Sequence, residues 1–112
     1  MTKSAKQKMG KNNRARGFQF ERDVVNQARA KGLTAERMWG SDGQTRGLPS
    51  NVDIVMEDNW YQCKRKKKIA DYVKPDAGIF AQVIRQDRDE SLVVIRLNDY
   101  LGLLKQAFIP WE

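Results

Sequence analysis

An acid, an amide and an ammonium group lie close together at Asp53, Gln62 and Lys64, within the stretch Asn51–Lys68, NVDIVMEDNWYQCKRKKK. Carboxylate and amide oxygens suit hard divalent cations, and an ammonium beside such a site can stabilise charge building on a phosphoryl oxygen. The chain has no histidine, which removes Ser–His triads, Cys/His zinc sites and any nuclease that uses histidine as base or ligand. Carboxylates and lysine must then carry any hydrolytic chemistry.

These groups can meet only if the backbone folds back on itself. Val52, Ile54 and Met56 alternate with Asn51, Asp53 and Val55, the period-two pattern of a strand. Glu57, Asp58 and Asn59 are turn residues, and Trp60–Arg65 reads as a return strand. A two-residue loop at Glu57-Asp58 sets Asp53 opposite Gln62, with Cβ atoms about 5 Å apart, and Lys64 two residues further along the same face. A slip of one residue would scatter the three, so register is decisive.

A second carboxylate comes from upstream. The spacing predicts a helix from about Gly17 to Lys31, with Gly32 as its stop. At about 100° per residue, Phe18, Phe20, Val24, Val25 and Ala28 fill one arc, and Glu21 falls near its middle. A carboxylate there costs several kcal/mol unless a cation meets it. Glu21 is then either a half-exposed acid favoured by the helix start or, taken with Asp53, a ligand to a shared cation.

The remaining chain predicts a strand over Thr34–Trp39, an irregular loop over Gly40–Ser50 and a short helix over Ile69–Val73. Ile79–Arg85 fits a strand or a helix, the strand being favoured by the polar turn Gln86–Glu90 into a clear strand over Leu92–Leu97, and a helix follows over Asp99–Ala107 capped by Asn98, with Tyr100, Leu101 and Leu104 on its buried side. The loop GSDGQTRGLPS is a connector or, through Ser41, Arg46 and its glycines, an approach to a phosphate backbone. The expected order is α-β-β-β-(α)-β-β-α.

The 112 residues allow one domain, expected over residues 17–112, preceded by a mobile basic arm over residues 1–16. Only positive charges precede Glu21 (Lys3, Lys6, Lys8, Lys11, Arg14 and Arg16), and Lys64–Lys68 form a second block. With a net charge of +7 this is the footprint of a nucleic-acid binder; the alternatives are plain solubility or an anionic membrane surface, for which no amphipathic basic helix with an apolar face is apparent. No apolar run reaches the roughly 20 residues of a membrane span, and no signal peptide is visible. The single Cys63 permits no internal disulfide and points to a reducing, intracellular setting; its thiol is either reactive beside the lysines or plain packing.

Glu21 in F-E-R-x-V-V, then G-S-D-G, V-D-I-V and Q-C-K follow the linear order of the PD-(D/E)XK nucleases, and the chain from Gly17 to Lys68 resembles their archaeal-type and phage Holliday junction resolvases. The resemblance implies an α/β fold with a restriction-endonuclease-like core, a mixed central β-sheet of about five strands flanked by helices. It implies a homodimer that hydrolyses phosphodiesters in branched DNA during recombination and repair, in the cytoplasm of a bacterial, archaeal or phage-infected cell. Glu21, Asp53, Gln62 and the backbone carbonyl of Cys63 would hold Mg²⁺ (or Mn²⁺), with Lys64 as the catalytic ammonium. Arg14, Arg16, Arg22, Arg37, Ser41, Arg46, Arg65, Lys66, Lys67 and Lys68 would contact DNA. Two positions depart from the pattern: Val52 replaces the motif's proline, and Gln62 replaces its usual acid, so that ligand brings no charge. The rivals are a non-catalytic nucleic-acid binder on the same scaffold, a nuclease for another DNA structure, and a basic RNA-associated domain lacking a carboxylate cluster.

Overall fold

The computed structural model describes residues 3–38 and 47–108, with side chains from residue 14 onward. Ser41, Arg46 and the residues from Ile109 on lie outside that range, as do the expectations placed on them. The element order is the expected one, in a mixed α/β arrangement. The chain forms two compact units, Met1–Arg65 and Lys66–Glu112.

In the first unit, helix α1 spans Lys3–Ala30. It therefore takes in residues 3–16, expected to be an arm without regular structure; no proline interrupts them, and lysine, glutamine, arginine, alanine and methionine are good helix formers. Its C-terminus is where the sequence puts it. Gly32 takes φ +85°, its N–H donates to the Arg29 carbonyl at 2.9 Å, and the Leu33 N–H donates to the Ala28 carbonyl at 3.1 Å. That pair of bonds is a Schellman stop, and it turns the chain so that Leu33 is buried behind the helix. Val24, Val25 and Ala28 are buried as the helical stripe requires, whereas Phe18 remains 45% exposed.

Strands β1 (Ala35–Arg37), β2 (Ile54–Met56) and β3 (Asn59–Tyr61) form an antiparallel sheet in the order β1-β2-β3. The β2–β3 register, Ile54 with Tyr61, Val55 with Trp60 and Met56 with Asn59, is the one a Glu57-Asp58 loop dictates. Both loop residues have positive φ, 46° and 64°, the backbone of a type I′ turn whose twist suits the strands it joins. Val52, Ile54 and Met56 are buried and carry the core of this unit with Val24, Val25, Ala28 and Ala35. All three strands are shorter than expected. The return strand stops at Tyr61 rather than Arg65, and the run of like charges from Lys64 gives that segment little reason to stay paired.

The second unit opens with a single 3-10 turn at Asp71–Val73, inside the expected Ile69–Val73 helix. Strands β4 (Ala81–Arg85) and β5 (Ser91–Ile95) make an antiparallel hairpin. The Arg96 guanidinium fastens the segment before it by donating to the carbonyls of Ile79 (2.8 Å), Asp76 (3.2 Å) and Pro75 (3.3 Å). Helix α2 spans Leu97–Phe108 and buries Leu101 and Leu104. It starts earlier than expected: the Tyr100 N–H already donates to the Arg96 carbonyl at 3.0 Å, so Asn98 is a first-turn residue and not the cap.

The five strands anticipated as one mixed sheet are thus divided into a three-stranded and a two-stranded sheet, both antiparallel. A parallel pairing needs a crossover of a dozen or more residues, usually a helix. Between β3 and β4 the only regular element is the three-residue 3-10 turn. No helix among the described residues is long and apolar enough to cross a membrane.

Candidate active site

The site is built where the β2–β3 ladder ends. Ile54 is the Cα partner of Tyr61, yet the Asp53 N–H also donates to the Tyr61 carbonyl, at 2.9 Å. Two consecutive residues therefore face one, which is a bulge, and a bulge re-aims the side chain it carries. On the other side the ladder is regular, with the Met38 N–H donating to the Asp53 carbonyl at 2.9 Å. The backbone of Asp53 is thereby fixed from both neighbouring strands.

The bulge changes how Asp53 meets the return segment. Direct pairing with Gln62 is replaced by a charge-assisted bond in which the Cys63 N–H donates to Asp53 Oδ2 at 2.7 Å. Gln62 and Lys64, the residues on either side of Cys63, are exposed. The Cys63 thiol is pushed up to about 11, first by burial, then by the negative charges of Asp53 and of Glu21. A thiol raised in this way is protonated at neutral pH, which favours the packing reading of this cysteine over the reactive one.

Glu21, from the middle of α1, faces into this region with its side chain only 13% exposed. Its cation is Arg37. Arg37 Nη2 lies 3.1 Å and Nε 3.2 Å from Glu21 Oε2, and the guanidinium carbon stands 5.4 Å from the centre of the Phe18 ring. Arg37 pairs with Ile54 across β1–β2 and, like Ala35, points inward. The guanidinium expected to contact DNA is therefore buried against Glu21, an inward placement that the alternation Ala35-Glu36-Arg37 could have signalled.

Glu21's carboxyl titrates above its ordinary 4.5. Burial is the largest cause, the Arg37 hydrogen bond opposes it, and the negative charge of Asp53 raises it further. The negative charge of Asp53 thus reaches Glu21, 32 positions earlier in sequence (53 minus 21), and the charges of both acids reach Cys63. Because the folded-state pKa is raised, Glu21 contributes stability below about pH 4.5, and that contribution is lost as pH rises through the folded value. Glu21→Gln, a neutral isostere, is expected to flatten this part of the pH–stability curve and to lower the melting temperature overall, because it leaves the buried Arg37 guanidinium without its anion. Thermal melts of both proteins from pH 4 to pH 8 read it directly; a lower melting temperature for the variant only at alkaline pH would reverse the sign.

Among the described residues no cluster of three or more His, Cys, Asp or Glu could hold a metal ion. Glu21, Asp53, Gln62 and the Cys63 carbonyl would together offer only oxygen donors, a set that suits Mg²⁺ or Mn²⁺ better than a softer metal.

The basic residues divide by location. Arg14, Arg16 and Arg22 are exposed on α1, and Arg22 Nη2 donates to Gln19 Oε1 at 3.2 Å. Lys64 and Arg65 are exposed at the end of the first unit, and Lys66, Lys67 and Lys68 at the start of the second. Compared with known protein families, with curated proteins and with solved structures, the chain matches none.

Proposed function

We propose that the protein is a metal-dependent, structure-selective DNA endonuclease, acting on four-way or similar branched junctions as a homodimer. What supports this reading is a largely buried acid, Glu21, on α1, together with Asp53 fixed at the end of the β2–β3 ladder by the bulge and by the Cys63 N–H. α1 and the three-stranded sheet would be the catalytic heart of a restriction-endonuclease-like core.

Glu21, Asp53, Gln62 and the Cys63 carbonyl would hold Mg²⁺ or Mn²⁺. Once bound, the metal supplies Lewis acidity toward the scissile phosphate and a lowered pKa for an attacking water. The chain's own residues do the rest. The Cys63 N–H keeps the Asp53 carboxylate oriented. Lys64, exposed and next in the chain, would place its ammonium against charge developing on the phosphoryl oxygens. Arg14, Arg16, Arg22, Arg65 and Lys66–Lys68 would bind phosphates, which fixes position without reading sequence. Selection then comes from the shape and deformability of a branch point.

One observation favours a second reading, a junction binder that does not cut. Arg37 already gives Glu21 its positive charge, and Gln62 adds none. A panel of four-way junction, flap, nicked and linear duplex at matched salt separates the possibilities, because phosphate binding alone is strongly salt dependent. The nuclease reading expects Mg²⁺-dependent cutting of the branched substrates in preference to linear duplex. Tight junction binding with no cutting in either metal would establish the second reading.

A further inference from the structure

Among the described residues, Arg37 is the cation seen on a proposed metal ligand, and a guanidinium is a permanently charged group. Its Nε and Nη2 both donate to Glu21 Oε2, and its side chain is 7% exposed. A divalent ion bound to Glu21 must sit about 2.0–2.6 Å from a carboxylate oxygen. It would then stand within a few ångströms of the guanidinium, and two cations that close in a half-buried site repel strongly. Resting on the nuclease reading above, we infer that Arg37 is the resident counter-ion of the Glu21–Asp53 site and competes with the divalent cation for Glu21. Arg37 thereby sets the metal affinity of the site.

The competition has a structural outlet. Arg37 belongs to β1, whose backbone is held by β2, so only its side chain has to move. The Phe18 ring beneath it is 45% exposed, which places the guanidinium near the edge of the core. A guanidinium released from Glu21 is well suited to a phosphate, because its planar fork matches phosphate oxygens. Metal entry and phosphate capture would then be two halves of one exchange: the ion takes Glu21 as Arg37 takes the DNA backbone.

The test is Mn²⁺ binding to the full-length protein by titration calorimetry, with no DNA present. Arg37→Met keeps the bulk against Phe18 and removes the charge. An opposite charge beside a carboxylate shifts its proton affinity by 1–3 units, so removing one should tighten Mn²⁺ binding roughly tenfold or more. Wild-type binding that is lost in Asp53→Ala but is equal or weaker in Arg37→Met overturns the inference and leaves the nuclease reading standing. Absence of Mn²⁺ binding in both wild type and Arg37→Met overturns both.

Should Arg37→Met fail to fold, Arg37→Lys replaces it. That variant keeps the charge on a single compact ammonium and loses the paired contact, so a several-fold tightening is expected and no change counts against the exchange. In wild type, the Arg37 Nε–H resonance should shift as Mg²⁺ saturates the site. A signal that stays fixed at saturation would show that metal and guanidinium do not compete.

Discussion

On the proposed nuclease function, Asp53→Ala is expected to reduce metal-dependent cleavage of a four-way junction by about 1,000-fold or more, while binding of the same junction stays within a few-fold of wild type. The magnitude follows from what the carboxylate does. A catalytic metal supplies several kcal/mol of transition-state stabilisation, and each 1.4 kcal/mol is about tenfold in rate, so losing the best-fixed ligand forfeits most of it. Asp53 is the best fixed of the candidates, held through its N–H, its carbonyl and its carboxylate. The DNA-binding half should survive, because the exposed arginines and lysines are untouched. Single-turnover cleavage and junction binding measured on the same preparation separate the two effects. A loss of binding equal to the loss of cutting would mean that Asp53 supports the fold and not the chemistry.

The second large effect is on stability. Arg37→Ala is expected to cost about 3 kcal/mol at pH 8, in the range measured when one member of a buried ion pair is removed. Three losses combine: the charge on Glu21, the contact with the Phe18 ring, and the packing of the long side chain against the core. The cost should shrink at pH 5, because a stranded Glu21 whose pKa is already raised can take a proton and cease to be a buried anion. It should also shrink in a Glu21→Gln background, where there is no charge to strand. Urea unfolding of the two single variants and the double variant, at pH 5 and pH 8, gives the coupling between the residues and its pH dependence. Additive costs at both pH values would show that the pair makes no energetic contribution of its own.

Much of the scaffold was legible because local rules agree with one another there. The two-residue loop, the alternation Val52-Ile54-Met56 and the β-formers after Asn59 all demand one register, and the β2–β3 pairing has it. Gly32 was readable as a stop because the apolar stripe ends before it and only glycine takes its φ cheaply. Glu21 stood out as a carboxylate in a core stripe, and it is largely buried.

What the sequence did not disclose depends on contacts between distant segments. The bulge at Asp53 arises because one carbonyl, that of Tyr61, accepts from Asp53 as well as facing Ile54, and no propensity encodes that. Arginine in a basic chain reads as surface charge, so the sequence points to a metal as the cation that meets Glu21. The inward position of Arg37 emerges only once β1 is registered against β2. The start of α1 is not marked by an apolar stripe. Residues 3–16 lack one, and their helical propensity suffices without it. The division into two sheets follows from the long, highly charged connection after Tyr61, whose lack of a crossover helix is visible only in the structure.

Cleavage of a synthetic immobile four-way junction by the wild-type protein, with Mg²⁺ or Mn²⁺ and in parallel with a chelator, tests most directly whether Glu21 and Asp53 form one catalytic site. The account predicts paired nicks near the branch point that require the metal and vanish in both Glu21→Gln and Asp53→Ala. Cutting that persists in the chelator, or that survives either substitution, would contradict it.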